Sequence, residues 1–412
     1  MDAGRRWTIA LVSTAREWGG GEDQALLLAQ GLWDRGHRCV VFARHNGALA
    51  QRIAGQSFQV HTFPGRGRSV AAWRSIRRVL RQLSPDVVHA NDAHALWAAG
   101  LASLGLRIPL RVAARRVAFP LRSGWPYRWL ADAVVCVSLA AAEQCRKAGI
   151  AAERIRVVPD GLEPGRVRSG DRARGREAVG ATDSDRVLLT VAKLTDCKGH
   201  RYLLEAMPRV LARHPQALCA LAGEGELRKQ LESLAQRLGV AHRVRWLGFR
   251  QDVPDLIQAA DVFVLPSHTE GLCSTLIEAM LAERPIVATT AGGIPEVLGA
   301  QKGGTGATTA WIAPPRNVES LAGAILSALE ATPTERAERA AQARRRAEAL
   351  FTAQRMVTGT LAAYAEFIEA LRPALTRSAL QAANWLADGP HYNGEAAIAC
   401  ARRSERSAGD NR

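Results

Sequence analysis

The feature that most constrains this chain is an alternation, run through twice, of short apolar stretches with longer helical patterns. The first series opens with Thr8-Ile9-Ala10-Leu11-Val12, turns at Gly19-Gly20-Gly21, and continues as a helix from Glu22 to Arg35 that Gly36 ends. Strands are expected next at 39–42, 86–89, 110–113 and 133–137, and Ile155-Arg156-Val157-Val158 runs into a turn at Pro159-Asp160-Gly161. A second series begins at 187–191 and continues through 217–221, 244–247, 262–265 and 286–288. Strands that alternate with helices imply parallel sheets covered on both faces. Open parallel sheets bind ligands beyond the carboxyl ends of their strands. Two such domains facing each other would bind across the cleft between them.

Length agrees with that division, since 412 residues exceed one ordinary core and suit two domains. The expected boundaries are a first domain over 1–165, a polar, arginine-rich linker over 166–182, and a second domain over 183–350. Helical pattern resumes at 317–330 and again at about 334–371. Residues 351–372 are expected to form a C-terminal helix packing back on the first domain. The rest, 373–412, mixes Gly, Asp, Asn and Arg without a clear period and reads as a loosely ordered tail.

Hydrophobic residues make up 47% of the chain and charged ones 23%, which is the range of soluble globular proteins. The apolar stretch from Trp7 to Val12 is too short for a secretory h-region, and Ala131 to Ala142 is too short to span a bilayer. Seven scattered cysteines without a C-x-x-C pair read as reduced thiols of a cytosolic protein, with no metal or other cofactor expected. The net charge of +16 favours polyanionic partners: nucleic acid, an anionic membrane face or a phosphorylated substrate. The basic residues are dispersed and form no recognised nucleic-acid-binding motif, so no nucleic acid is expected.

Two constellations carry chemistry. The first is Glu270-Gly-Leu-Cys-Ser-Thr-Leu-Ile-Glu278, directly after the strand that ends at Pro266-Ser267. Backbone N–H groups from Leu272 through Cys273 and Thr275 to Leu276 are the unpaired donors of a helix start, a natural cradle for a diphosphate. Gly271 would let a ligand approach the backbone closely. A plainer reading stands beside it: Thr275-x-x-Glu278 is also a capping box, and Glu278 then only caps the helix. The second constellation is Lys193-Leu-Thr-Asp-Cys-Lys198-Gly199, which places two lysines at the carboxyl end of the second series' first strand. Such lysines stabilise the charge that develops on a departing diphosphate; the plainer reading is a solvated loop.

Taken in order, K-L-x-x-x-K-G, G-E-G-E (Gly223 to Glu226), S-x-x-E-G-x-x-x-x-x-x-E and A-G-G-I-P-E (Ala291 to Glu296) resemble the large retaining GT-B glycosyltransferase family four, over about residues 5–370. The resemblance implies two Rossmann-like, doubly wound parallel-sheet domains facing across a cleft, with C-terminal helices returning toward the first. It implies transfer of a sugar from a nucleotide-sugar to an acceptor with retention of configuration. By the same resemblance Glu270 contacts donor-sugar hydroxyls, Glu278 takes the ribose hydroxyls, and Lys193 and Lys198 hold the diphosphate. The family pair is usually Arg and Lys, and lysine in the first place loses the bidentate fork. Glu283 also departs from the pattern, in a position where small residues and glycine are usual.

In the first series Gly19-Gly20-Gly21-Glu22 looks like the family's G-G-x-E loop, which places Gly20 and Gly21 close to the donor phosphates. A nicotinamide-type fingerprint fits poorly, because Gln24 stands where its last glycine is needed and Ala43-Arg44 where its acid is needed. His89-Ala-Asn91-Asp92-Ala-His94 resembles the family's H-x-H-D-x-H, in which a histidine bonds the transferred sugar. His94 matches the last histidine and Asn91 replaces the middle one, so either could face the donor. Asp160 stands in P-D-G where P-N-G is common. The resemblance leans toward bacterial envelope glycans, including lipopolysaccharide, with a glycan or lipid-linked acceptor and an enzyme on the cytoplasmic face of the inner membrane. An alternative on the same fold is a nucleotide-sugar epimerase.

Residues 69–83 put Val70, Trp73, Ile76, Leu80 and Leu83 on one helical face beside Arg74, Arg77, Arg78 and Arg81. Nearby, Arg111, Arg115, Arg116, Phe119, Arg122, Trp125, Tyr127 and Trp129 mix basic and aromatic side chains. These stretches read either as an ordinary core-facing helix with a surface loop or as a docking face for an anionic membrane surface.

Overall fold

The apolar runs form strands because their side chains fill both faces of two parallel sheets. The computed structural model describes residues 5–56, 58–65, 67–300 and 307–387, with side chains up to Leu371. The first sheet holds β1 (Thr8–Val12), β2 (Arg38–Arg44), β3 (Gln59–Phe63), β4 (Val87–Ala90), β5 (Leu110–Arg115), β6 (Ala133–Cys136) and β7 (Ile155–Val157). Their spatial order is β3-β2-β1-β4-β5-β6-β7. The second holds β8 (Arg186–Val191), β9 (Ala217–Ala222), β10 (Val244–Gly248), β11 (Val262–Leu265), β12 (Ile286–Thr289) and β13 (Trp311–Ala313), in the order β10-β9-β8-β11-β12-β13. Every residue of β4, β6, β11 and β12 is buried, as strands covered on both faces require.

Two edge strands escaped the sequence reading. β3 carries Gln59, His61 and Thr62 on a partly exposed edge, and β13 is only three residues long. Neither offers the continuous apolar run of a central strand.

In both sheets every strand is parallel to its neighbours and the order of strand addition reverses at a central pair, β1 beside β4 and β8 beside β11. Crevices at such switch points, outside the carboxyl ends of the strands, are where open α/β sheets hold ligands. The stretch read as a linker is partly helical, over Pro164–Arg168 and Arg172–Val179. Its arginines dock it on the second domain, where Arg174 pairs with Asp255 at 3.1 Å and Arg172 with Asp261 at 2.9 Å.

The chain divides into two units, 1–365 and 366–412, and the first contains both sheets. The helix Ala353–Ala387 starts in the first unit, where it packs on the first-sheet domain. Gly31 leaves room for Val357, whose Cγ2 would lie 2.4 Å from a Cβ there, and the buried Tyr364 hydroxyl meets His89 Nδ1 at 2.6 Å. The helix runs to Ala387, past residue 373, where a loosely ordered tail was expected. The Ala- and Leu-rich composition of 374–386 favours helix and explains the difference. Residues 388–412 of that expected tail lie outside the described ones.

Candidate active site

On the second domain, two loops leave the carboxyl ends of β8 and β11 and are stitched together. The backbone N–H groups of His268 and Thr269 donate to the Cys197 carbonyl at 2.9 and 3.3 Å, and the Thr275 hydroxyl donates to the Val191 carbonyl at 3.0 Å. Gly199 makes this approach possible: its φ is +69°, and a Cβ there would lie 2.0 Å from the Pro266 carbonyl oxygen. The result is an ion pair between Lys198 Nζ and Glu270 Oε2 at 2.6 Å, with the Ser267 hydroxyl on the same oxygen at 3.2 Å. Burial works against the Lys198 charge, but the Glu270 carboxylate outweighs it and holds the ammonium above its usual range. Lys193 behaves differently. Its side chain is 62% exposed, and its Nζ lies 3.9 Å from Glu17 of the first domain.

The helix Ser274–Leu281 begins at Cys273, whose φ of +81° is a conformation non-glycine residues seldom hold. No side chain caps this start. That overturns the capping-box alternative: Thr275 lies inside the helix with its hydroxyl on Val191, so the first N–H groups of the turn stay available. Leu272 and Leu276 bury their side chains in the core, leaving only their backbones to face a ligand. Glu278 is half-buried one turn further on. Burial pushes its carboxyl up to about 7, with Asp23 pushing the same way and Arg166 opposing.

The facing wall belongs to the first domain. The helix Gly20–Asp34 also starts without a side-chain cap, at Gly19. A Cβ on Gly20 would lie 3.6 Å from Ser274 Oγ, so the two uncapped helix starts meet across the domain boundary. Gly271 is as closely placed, for a Cβ there would fall 2.2 Å from the Arg116 carbonyl oxygen. Asn91 is buried. Its amide nitrogen donates to the Gly21 carbonyl at 3.0 Å, and its oxygen accepts from Arg116 Nε and Nη2 at 3.1 and 3.0 Å. Arg116 also pairs with Asp160. The two departures from the family pattern, Asn91 and Asp160, thus meet on one guanidinium.

His94 lies exposed in the first turn of the helix Ala93–Ser103, while Asp92 caps that helix by accepting from the N–H groups of His94 and Ala95. Of the motif's other polar residues, His89 is committed to Tyr364 and Asn91 to Gly21 and Arg116. Gln24, where a dinucleotide loop needs glycine, is buried and exchanges two hydrogen bonds with Gly161, at 2.8 and 3.0 Å.

Sequence reasoning assigned no site role to Glu22, Arg116, Asp160 or Glu296. Glu22 is buried beside the cleft, and burial pushes its carboxyl up to about 6. The G-G-x-E pattern was the signal for it. Glu296 reaches across the boundary and accepts from the Leu139 and Ala140 N–H groups, at 2.7 and 2.8 Å, at the start of the helix Leu139–Lys147. Arg116 was read only as part of a basic, aromatic surface, and nothing local in the sequence told it from its neighbours.

That surface is correspondingly smaller than its sequence suggested. Arg111 pairs with Asp132, Arg115 and Tyr127 are buried, and Ile76 and Leu80 of the helix Val70–Leu83 face the core. Phe119, Trp125 and Trp129 remain exposed.

Two facing parallel-sheet domains with a polar cleft at their switch points define the GT-B class of architecture. Comparison with known proteins agrees. The family described as glycosyl transferases group 1 matches residues 171–347, and glycosyltransferase family 4 matches residues 18–166. The chain belongs to this family of group 1 glycosyltransferases. Among solved structures it is similar to the Anabaena protein HepE in complex with UDP and glucose, with a TM-score of 0.74 and 24% identity over 86% of this chain and 98% of that one. A glycosyltransferase from Rickettsia africae aligns with a TM-score of 0.76 and 18% identity, covering 88% of this chain and 99% of the other.

In sequence the chain is 34% identical to an uncharacterized glycosyltransferase of Methanocaldococcus jannaschii, across 41% of this chain and 43% of that protein. It is also 34% identical to the lipopolysaccharide core biosynthesis glycosyltransferase LpsE of Rhizobium meliloti, across 39% of this chain and 45% of that one. Each of these matches spans less than half of the relative's length.

Proposed function

We propose that this protein transfers a sugar from a nucleoside-diphosphate donor to an acceptor hydroxyl with retention of anomeric configuration. The observation that carries the reading is the meeting of two uncapped helix starts, at Gly20 and Ser274, beside the Lys198–Glu270 pair. Each helix start presents unpaired N–H donors and the positive end of a dipole. Facing each other, they suit the two phosphates of one diphosphate, and Lys198 adds a fixed positive charge. The UDP and glucose named with the Anabaena structure favour a uridine nucleotide as the first donor to test.

The chemistry follows from where charge develops. The bond from the anomeric carbon to the leaving phosphate oxygen breaks, and the bond to the acceptor oxygen forms on the same face. The acceptor proton passes to the leaving diphosphate, so no dedicated protein base is needed. Lys198, Lys193 and the helix starts stabilise the growing negative charge without reorganising. Glu270, held by Lys198 and Ser267, is oriented to accept from sugar hydroxyls, and Glu278 to accept from the ribose. His94, exposed in the first turn of the helix that follows β4, is the candidate partner for the transferred sugar.

The acceptor proposed is a glycan or lipid-linked one of the bacterial envelope, met at the cytoplasmic face of an anionic membrane. Trp129 is 66% exposed, and Trp97, Trp125 and Trp129 stack in sequence at 5.7 and 6.5 Å. Arg68 lies over Trp97, and Arg122 and Arg128 are exposed beside the stack. Aromatics seat at the lipid interface, while each nearby arginine gains about 1 kcal/mol from an anionic surface. Among the described residues no helix is long and apolar enough to cross a membrane.

A melting-temperature panel of nucleotide-sugars tests the donor, because a ligand bound only by the folded state stabilises by roughly 2.7 kcal/mol at a hundred times its Kd. A UDP-sugar should raise the melting temperature by several degrees; a flat panel overturns the reading. Incubation with donor alone separates the epimerase alternative, which would release an isomerised sugar nucleotide.

A further inference from the structure

The second sheet has chemistry at both ends. Opposite the catalytic end, a cavity of about 310 Å³ opens among the amino ends of its central strands. It is lined by Arg186, the first residue of β8, by Asp261 just before β11, and by Arg284-Pro285 just before β12. Arg172 from the linker helix and Arg336 from the helix Pro333–Leu350 complete its polar wall, and Ala260, Pro285 and Leu329 supply an apolar one.

The charges here do not cancel. Asp261 is committed to Arg172 at 2.9 Å, to Arg176 at 3.5 Å and to the Val187 N–H at 2.8 Å. Glu283 is committed to Arg344 at 3.1 Å. Arg186, Arg284 and Arg336 have no carboxylate within ion-pair distance among the described residues, and the only bonds shown for the latter two side chains run to the carbonyls of Ala282 and Leu329. Burial holds the Arg284 guanidinium below its usual range, with the Arg172 charge acting the same way and the Asp261 and Glu283 carboxylates opposing.

The backbone supports a built feature. Glu283 has a φ of +54°, in the left-handed region that favours glycine. This explains why small residues and glycine are usual at that point of the family pattern, and this chain holds the strain while placing Glu283 and Arg284 on the cavity wall.

We infer that this cavity is a second, non-catalytic anion site, which takes a phosphate or diphosphate group on Arg186, Arg284 and Arg336 and its attached carbon skeleton against Ala260, Pro285 and Leu329. Guanidinium forks match phosphate oxygens in bidentate geometry, and Arg186, Arg284 and Arg336 are open to such a ligand because the cavity's two carboxylates, Asp261 and Glu283, are paired with Arg172, Arg176 and Arg344. The cavity lies within the volume range of small-molecule sites. It shares β8, β11 and β12 with the donor loops but lies at the strands' other ends, so the two sites are separable by mutation.

Equilibrium dialysis of the full chain with radiolabelled inorganic pyrophosphate provides the test. The wild type should bind two equivalents. Arg284→Gln with Arg336→Gln should bind one, and so should Lys193→Ala with Lys198→Ala. Arg186→Gln, at an exposed strand end, should weaken the second equivalent at least several-fold and serves if the double variant fails to fold. Competition by a nucleoside monophosphate against a hexose phosphate then tells which skeleton the apolar wall prefers. A single equivalent in the wild type that the lysine substitutions abolish, or unchanged stoichiometry in the arginine variants, overturns the proposal. Two equivalents persisting in the lysine variant would count against the donor-site reading and leave this one standing.

Discussion

The two walls of the cleft are built on different terms. On the second-domain wall the groups that matter are left available: N–H donors of an uncapped helix, an exposed Lys193, and a Lys198–Glu270 pair at the pocket's edge. On the first-domain wall the polar groups are spent on one another. Asn91 serves Gly21 and Arg116, Arg116 serves Asp160, and Gln24 serves Gly161. On the proposed reading, one wall supplies charge to a substrate, and the other supplies the rigidity that keeps a helix start pointed at it. Substitutions should divide the same way, into losses of rate on one side and losses of stability on the other.

The largest effect is expected at Lys198. Lys198→Ala removes a preorganised positive charge and leaves Glu270 unpaired, which should lower kcat by about 10²–10³, or roughly 3–4 kcal/mol at the barrier. Lys193→Ala should cost less, because an exposed ammonium is screened by water. A near-normal kcat for Lys198→Ala at saturating donor would erase the distinction between the walls.

Arg116→Ala should behave in the opposite sense. It strips partners from the buried Asn91 and from Asp160, and a buried polar group left unsatisfied costs about 1–3 kcal/mol. Denaturant melts should show that loss, and adding Asp160→Asn should return part of it by removing the stranded carboxylate. If Arg116→Ala melts like the wild type, the first wall is not held by this network.

The same contrast explains what the sequence could and could not reveal. Glu270, Lys198 and the start of the 274–281 helix stood out because each sits at a fixed spacing from a strand end, and the chemistry of such positions follows from local structure alone. The central strands were readable for the same reason, as continuous apolar runs. Arg116 was not, because its meaning comes from Asn91 and Asp160, 25 and 44 positions away, and one arginine among many has no local signature. The edge strand β3 was hidden by its polar residues. The fourth residue of the glycine loop, Glu22, was visible as a motif letter, but its burial beside Asp92 and Arg116 was not.

Glu278 gives a titration that sharpens the comparison. With its carboxyl pushed up to about 7, ionisation is opposed by burial in the free protein. Its folded value is raised, so the stability it contributes is present below the ordinary value of 4.5 and lost as pH rises through about 7. In the proposed donor site Glu278 accepts from both ribose hydroxyls as the carboxylate, so donor binding should run the other way: affinity climbs as pH passes from 6 to 8. Glu278→Gln should flatten both profiles near pH 7, read by melting curves with and without nucleotide. An unchanged slope in the variant places the titrating group elsewhere, with Glu22, at about 6, the next to examine.

The smallest effect is expected where the walls are joined. Glu296 leaves the second domain to accept from two N–H groups at the start of the 139–147 helix, and Gly293 packs beside Ser138 at the same seam, with 3.1 Å between a Cβ there and the serine Cβ. Removing a carboxylate from a helix N-terminus costs about 1 kcal/mol, too little to unfold either domain. Its consequence is geometric, because the two helix starts proposed to hold the diphosphate lie on opposite sides of this seam. Glu296→Ala should raise the donor KM a few-fold with little change in kcat, and the radius of gyration from X-ray scattering should grow slightly without nucleotide and recover with it. Glu296→Gln, which keeps one acceptor, should fall between. A variant that raises KM without any change in scattering would show that Glu296 acts on the donor directly rather than through the spacing of the two walls.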